Sequence, residues 1–347
     1  MPIATQDQYL DMIARAKEGG FAYPAINVTS SQSLNAVLQG LSEAGSDGII
    51  QVTMAGAGHW GGHSVDGRVA GAVAMARFAR EVAANYPVTV ALHTDHCPEA
   101  GLDTFLRPVL EASEAEVAAG RPALFQSHMW DGSALPVERN IEISRGLLTR
   151  TKALGALLEI EVGAVGGEED GVEHHGTEEE LYTRPADVVR VVEALTLREQ
   201  GPWMAALTFG NVHGVTTGVN AKLRPELLGE IQSLVAGTFG TGSNPLDLVF
   251  HGGSGSSDEE IAQAIGHGVM KMNIDTDTQY AFTRAIADWV LRNYDGVLKV
   301  DGRSGAKKLY QPQSWGEAAE DSMAVRVAEA AVSLGSAGKS LSAAVAA

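Results

Sequence analysis

Eight short runs of apolar residues recur along the chain, at 23–27 (YPAIN), 48–53 (GIIQVT), 88–93 (VTVALH), 123–128 (ALFQSH), 156–162 (ALLEIEV), 203–209 (WMAALTF), 247–251 (DLVFH) and 269–274 (VMKMNI). Uninterrupted runs of this length suit strands covered on both faces, as in a parallel sheet. Longer stretches with apolar residues at helical spacing separate them, at 33–44, 69–85, 140–154, 185–197, 225–236 and 257–267. The first follows a pair of serines. The last opens SSDEE, a capping serine with acids where the helix dipole favours them. Eight strand-then-helix units with right-handed crossovers predict an α/β fold, a closed TIM (β/α)8 barrel. An open, doubly wound sheet is the alternative. A Gly/Glu-rich stretch at 163–183 reads as a long loop after the fifth strand. Residues from 293 onward read as a C-terminal extension with a helix at 314–333 and a frayed, alanine-rich end. No repeat or linker divides the chain, so 1–347 is expected to form one barrel domain with 293–347 as its extension.

Composition narrows the function classes. With 347 residues, 45% of them hydrophobic, the chain can bury a large core. A formal net charge of −18 makes nucleic acid and anionic membranes poor partners. Cys97 is the single cysteine, so no intrachain disulfide can form, which fits a reducing compartment. The first twenty residues lack the apolar core of a signal peptide, and no window of 18 apolar residues occurs. A cytoplasmic protein is expected.

A barrel of this kind carries its chemistry at the C-terminal ends of its strands, and the polar residues gather there. The third strand leads into Asp95 and His96, the fourth into His128 and Asp131. The fifth contains Glu159 and Glu161 and is followed by Glu168, Glu169 and Asp170. The sixth leads to Asn211 and His213, the seventh to His251 and Ser254, the eighth to Asn273, Asp275 and Asp277. Three imidazoles from separate strands, His96, His213 and His251, with a fourth position open, are what a catalytic zinc ion requires. His93 and His128 read as supporting or packing residues, and His59, His63, His174 and His175 as ordinary ones. The run HGGSGSS at 251–257 leads into a helix and has the form of a phosphate cradle. Asp95, next to a metal ligand, is a candidate proton donor or acceptor. The glycine-flanked Glu168–Glu169 segment is either a solvated acidic loop or a lid over the site.

LHTDHC at 92–97, FQSHMWDGS at 125–133, LEIEVGAVGGEEDGV at 158–172, FGNVHGV at 209–215, FHGGSGS at 250–256 and VMKMNIDTDTQYA at 269–281 closely resemble the class II fructose-bisphosphate aldolases of actinobacterial type. The resemblance runs from about residue 3 to residue 339. It implies a zinc-dependent TIM-barrel lyase of sugar metabolism, built as a homodimer or an assembly of dimers. Such an enzyme reversibly splits fructose 1,6-bisphosphate into dihydroxyacetone phosphate and glyceraldehyde 3-phosphate. By motif position, His96, His213 and His251 match the zinc ligands. Asp95 matches the acid/base at the C4 hydroxyl, and Glu169 the base at the dihydroxyacetone carbon. Asn27, Gly214, Gly252, Gly253, Ser254, Asn273, Asp275 and Thr276 match substrate contacts, and Thr53 stands where the family has a contact serine. Asp131 and Glu161 match carboxylates near the metal, with room for a second divalent ion or a monovalent cation. Zinc acts as the Lewis acid, so Lys271 is not needed as a Schiff base.

Two further positions depart from the family pattern. A lysine after the sixth strand is replaced by Thr217, and the arginine of the usual YDPR is Gln313. A glutamine cannot bind phosphate as an arginine does. A second expectation is therefore a paralogous class II aldolase acting on a different ketose. A third is a catalytically silent barrel, against which the intact Asp95 and Glu169 argue.

Overall fold

The apolar runs become parallel strands that close into a ring. The computed structural model describes residues 2–163, 166–169, 172–174, 181–213, 222–253, 256–298, 303 and 305–342, the side chains of 166–169, 172–174 and 212–213 aside. Eleven strands, numbered in chain order, are present among these residues: β1 (Tyr23–Asn27), β2 (Gly48–Val52), β3 (Val90–Thr94), β4 (Ser127–Trp130), β5 (Leu157–Val162), β6 (Gly166–Glu169), β7 (Val172–His174), β8 (Trp203–Leu207), β9 (Val212–His213), β10 (Leu248–Phe250) and β11 (Val269–Ile274). The barrel order is β1–β11–β10–β8–β5–β4–β3–β2, which bears out the TIM-barrel expectation. The helices are α1 (Gln6–Gly19), α2 (Ser31–Ala44), α3 (Met54–Gly61), α4 (Arg68–Ala83), α5 (Arg107–Ala118), α6 (Val137–Ala153), α7 (Pro185–Leu195), α8 (Glu226–Phe239), α9 (Asp258–Gly266), α10 (Thr276–Arg292), α11 (Tyr294–Val297), α12 (Lys307–Tyr310) and α13 (Pro312–Ser333).

Strand geometry explains how the interior is divided. Alternate residues face inward. Toward the base, Tyr23, Ala25, Ile49, Ala91, Leu157, Met204, Ala206 and Val249 form an apolar cluster with the buried face of α1 (Tyr9, Met12, Ile13, Ala16), which plugs that end. One step further along the same strands the inward residues turn polar: Asn27, Gln51, His93, Glu159, Lys271 and Asn273, all buried. The outward residues, such as Leu158, Ile160, Met272 and Ile274, join the larger core beneath the helices.

Some elements differ from the sequence expectation. The stretch at 163–183 is not simply a loop. β6 pairs antiparallel with β7 and parallel with β9, making a small second sheet. Glycine and glutamate give that segment no apolar alternation to read. Strand β4 starts at Ser127, later than expected, because the carbonyls of Ala123 and Leu124 accept hydrogen bonds from the Arg80 guanidinium instead of a strand ladder. Thr53 leaves β2 to cap α3, its hydroxyl accepting from Gly56 N at 3.0 Å. The alanine-rich end beyond 342 lies outside the described residues.

After β11 the chain does not return at once to the barrel wall. Arg326 of α13 pairs with Asp277 at 2.9 Å, the Ser322 hydroxyl donates to Ala281 O, and Trp289 Nε1 donates to Leu309 O. Numbers rise on α10 as they fall on α12 and α13, so α10 runs antiparallel to α13. The far end of α13 reaches the base, where Ala22 N donates to Leu334 O. Helix α10 therefore leads away from the barrel mouth as an arm, and α13 takes the position beside β1. It packs a face of small residues there (Gly316, Ala319, Ala324, Ala330, Ala331). The approach to α2 is close: a Cβ on Gly40 would come within 2.4 Å of Ala324 O. The buried carboxylate of Asp47 fastens the end of this extension, accepting from Ser340 Oγ at 2.6 Å, Leu341 N at 2.6 Å and Thr89 N at 2.7 Å.

Candidate active site

The polar residues converge at the mouth of the barrel. His96 follows β3 and His251 follows β10, and their rings lie 4.7 Å apart, centroid to centroid, at 60°. Ligand atoms of Asp95, His96 and His251 lie within 4.8 Å of one another, as do those of His96, Asp131 and Glu161. His96 Nδ1 is 3.4 Å from Asp131 Oδ2 and 3.5 Å from Glu161 Oε2. Two imidazoles and three carboxylates thus surround one small volume. The strands dictate this: Glu159 and Glu161 are two apart on β5 and share its inner face, while Asp95, Asp131 and His251 are the first residues past their strands.

The protonation states suit a cation. Burial holds the His251 imidazole well below its ordinary value, and the His96 and Lys271 charges push the same way. The ring is neutral, the form that binds metal. Burial alone would raise the Asp131 carboxyl, but the hydrogen bond and charge of His96, with two hydrogen bonds from Ser133, hold it below the usual carboxylate range. Carboxylates packed around the neutral His251 ring leave negative charge in a largely buried site, which a divalent ion would balance. The donor set fits such an ion.

Asp95 is held from three directions. Its Oδ2 accepts from Asn27 Nδ2 and Gln51 Nε2, both at 2.9 Å, and its Oδ1 from Asn273 Nδ2 at 3.1 Å. Beside it lies a cavity of about 200 Å³ lined by Asn27, Thr53, His59, Asp275 and Gln279. A larger one, about 940 Å³, reaches His96 and Asp131 from the side of Met54, His63, Arg68 and Leu135. His59 was read from sequence as an ordinary residue. Its place on α3, lining the same cavity as Asn27, depends on the helix after β2.

Other sequence candidates are placed as follows. Gly252 has φ +61°, so the turn after β10 favours glycine there, and a Cβ on Gly253 would come within 2.1 Å of Met272 Cε, so a side chain at that position would displace the methionine's end. It leads to Ser257, which caps α9 in a capping box with Glu260. Thr276 opens α10, and Asp275 Oδ1 accepts from Gln279 Nε2 at 2.6 Å. Backbone pairing sets Gly167 of β6 beside His213 of β9, which brings the segment carrying Glu169 alongside the strand carrying His213. The side chains of Glu169 and His213, and all of Gly214, Thr217 and Ser254, lie outside the described residues. Gln313 is exposed in the first turn of α13. His128 is buried, its pKa pushed down to about 3 by burial and then by the Arg150 charge, and it pairs through Nδ1 with Thr94 Oγ1 at 2.8 Å. Burial pushes the Cys97 thiol up to about 12, so it is inert.

The sequence reading had no partner for two charges inside apolar runs, Glu159 in ALLEIEV and Lys271 in VMKMNI. The structure pairs them: Lys271 Nζ lies 2.8 Å from Glu159 Oε2, both fully buried. A charge in a strand covered on both faces was the available signal.

Comparison with known proteins gives a consistent result. The family model described as fructose-bisphosphate aldolase class-II matches residues 7–339. A fructose-bisphosphate aldolase of Streptomyces coelicolor is 56% identical over 98% of this chain and 100% of its own length. One from Mycobacterium leprae is 52% identical over 99% of this chain and 100% of its own. A crystal structure of fructose-bisphosphate aldolase from Campylobacter jejuni is 36% identical, with a TM-score of 0.85 over 97% of each chain.

Proposed function

The chain belongs to the class II fructose-bisphosphate aldolase family, and we propose that its barrel mouth, with His96, His213 and His251 as ligands of one zinc ion, is where it performs that reaction. The activity is the reversible aldol cleavage of fructose 1,6-bisphosphate to dihydroxyacetone phosphate and glyceraldehyde 3-phosphate. The family's chemistry is metal-dependent. The observation that carries the site assignment is the meeting of Asp95, His96 and His251 within 4.8 Å.

A zinc ion held there supplies Lewis acidity toward the charge that develops when the C3–C4 bond breaks. The chain's own residues do the rest. Asp95, aimed by three amides, takes the proton of the C4 hydroxyl in cleavage and returns it in condensation. Glu169 moves the proton at the dihydroxyacetone carbon. Asn273 and Asp275 bind substrate hydroxyls, and Asn27 and Thr53 line the pocket beside them. Gly214, Gly252, Gly253, Ser254 and Thr276 hold a phosphate, backbone N–H groups meeting its oxygens. Asp131 and Glu161 offer an alternate cation position next to His96.

Thr217 and Gln313 do not carry the alternative of another ketose, since relatives at 52–56% identity over nearly the whole chain are fructose-bisphosphate aldolases. Steady-state turnover of fructose 1,6-bisphosphate, fructose 1-phosphate and tagatose 1,6-bisphosphate tests this. Fructose 1,6-bisphosphate is expected to lead in kcat/KM by about tenfold or more, the worth of one charge-assisted hydrogen-bonded phosphate. Equal values for fructose 1-phosphate would overturn the named substrate.

The active unit is a homodimer, alone or in an assembly of dimers. Helix α10 supports this: of its 17 residues only Thr278 is buried. Tyr280 (67% exposed) and Leu291 (71%), with Tyr294 (57%) just beyond, present an apolar flank on the arm. A second copy would cover it. Sedimentation of Tyr280→Asp/Leu291→Asp should show monomer where the parent is dimer; an unchanged dimer would remove the arm from the interface. No described helix is long and apolar enough to cross a membrane, and the reaction belongs to the cytoplasm.

A further inference from the structure

We propose that Lys271 is a positioning residue that sets two parts of the site at once: the metal-facing nitrogen of His251, through Glu159, and the aim of Asp95, through Asn273. The inference rests on the site assignment above and adds a residue to it.

The chemistry of an ammonium group forces the arrangement. Lys271 Nζ has only hydrogens to give. It sits fully buried in β11, 2.8 Å from Glu159 Oε2 and 2.7 Å from Asn273 Oδ1. Asn273 is two residues along the same strand and on the same face. Because the lysine can only donate, the Asn273 amide must turn its oxygen toward Nζ. Its NH2 then points the other way, where it donates to Asp95 Oδ1 at 3.1 Å. A flipped amide would set NH2 against ammonium and carbonyl oxygen against carboxylate, two repulsive contacts. The lysine therefore decides which way Asn273 faces, and through it how Asp95 is held on the Oδ1 side.

The second branch runs through Glu159. Its Oε2 is occupied by Lys271, and its Oε1 lies 2.8 Å from His251 Nε2. An ionised carboxylate can only accept, so the His251 proton is on Nε2 and the lone pair on Nδ1, which faces Glu161 at 3.8 Å. Carboxylate support of this kind fixes the tautomer and orientation of a metal-binding imidazole. His93 completes the surroundings, with Nε2 3.6 Å from Glu159 Oε2 and Nδ1 2.7 Å from Ser127 Oγ. Lys271 is the cation bonded to this carboxylate. The two branches part at a single atom, Nζ.

The test compares Lys271→Met, which keeps length and loses charge, with Lys271→Met/Glu159→Gln. The double variant leaves no uncompensated buried charge and keeps a glutamine oxygen for His251 Nε2. Apo proteins are titrated with Zn2+ against a chromophoric chelator, and kcat and KM are measured on the reloaded enzymes. Lys271→Met should lose about 10–100-fold in zinc affinity and a similar factor in kcat, with KM changed by less. The double variant should recover most of the zinc affinity and little of the kcat, because the Asn273 amide is no longer fixed. A folded Lys271→Met matching the parent in both quantities overturns the inference. Should that variant not fold, the double variant decides: parental kcat overturns the branch to Asp95, and zinc affinity still reduced overturns the recovery expected through His251. If the parent itself binds no zinc in the same titration, the site assignment fails and this inference with it. A parent that binds zinc beside variants that do not differ from it isolates the failure here.

Discussion

Asp95→Ala should lower kcat by about 10²- to 10⁴-fold, the range for losing a positioned acid/base. KM should change by far less. Three amide donors, Asn27 Nδ2, Gln51 Nε2 and Asn273 Nδ2, converge on this one carboxylate. Alanine removes the acceptor and leaves the donors facing a space that water or substrate can enter, so the loss falls on proton transfer more than on binding. The measurement is steady-state cleavage of fructose 1,6-bisphosphate, with metal content determined on the same sample because Asp95 also borders His96 and His251. Turnover within fivefold of the parent at equal metal content would remove Asp95 from the acid/base role. A parent without turnover, whose Asp95→Ala variant keeps the same ligand affinity, would point instead to a binding barrel.

Stripping the metal with a chelator should abolish turnover, by about 10³-fold or more given the several kcal/mol a Lewis acid contributes. Adding back Zn2+ should restore it. The same step should lower the melting temperature. Asp95, Asp131 and Glu161 gather around His96 and His251, and without a cation the carboxylate charges repel across a largely buried space. A ligand that binds only the folded state stabilises it by mass action, about 4 kcal/mol at a thousandfold excess over its Kd. Activity that survives chelation, with metal analysis showing none bound, would refute the metal assignment whatever the strength of the family resemblance.

The barrel was legible because strands covered on both faces leave uninterrupted apolar runs, and all eight appear in the chain. The mouth was legible because this architecture puts polar strand ends together, so His96, Asp131 and His251 could be grouped without coordinates. What sequence could not supply was direction and partnership. Nothing in VMKMNI says that the lysine meets a glutamate 112 positions away. The run GGEEDGVEH lacks the alternation that marks a strand, yet β6 forms there because β9 and β7 offer it ladder partners. Residues 276–292 follow the last barrel strand and would be expected to return along its wall. They form α10 instead and lead outward, a choice made by contacts with α13.

The clasp on Asp47 joins Ser340 and Leu341 to a carboxylate 293 and 294 positions away, and so holds the extension in place against the barrel. Contacts so remote in sequence form slowly, since the entropy of closing the loop is lost before they return any stabilisation. A polypeptide growing from the ribosome therefore carries β1 and α2 with one flank bare until α13 has emerged to cover it. Closure is a late step of biogenesis, and in that interval the uncovered flank is the surface through which nascent chains would stick to one another.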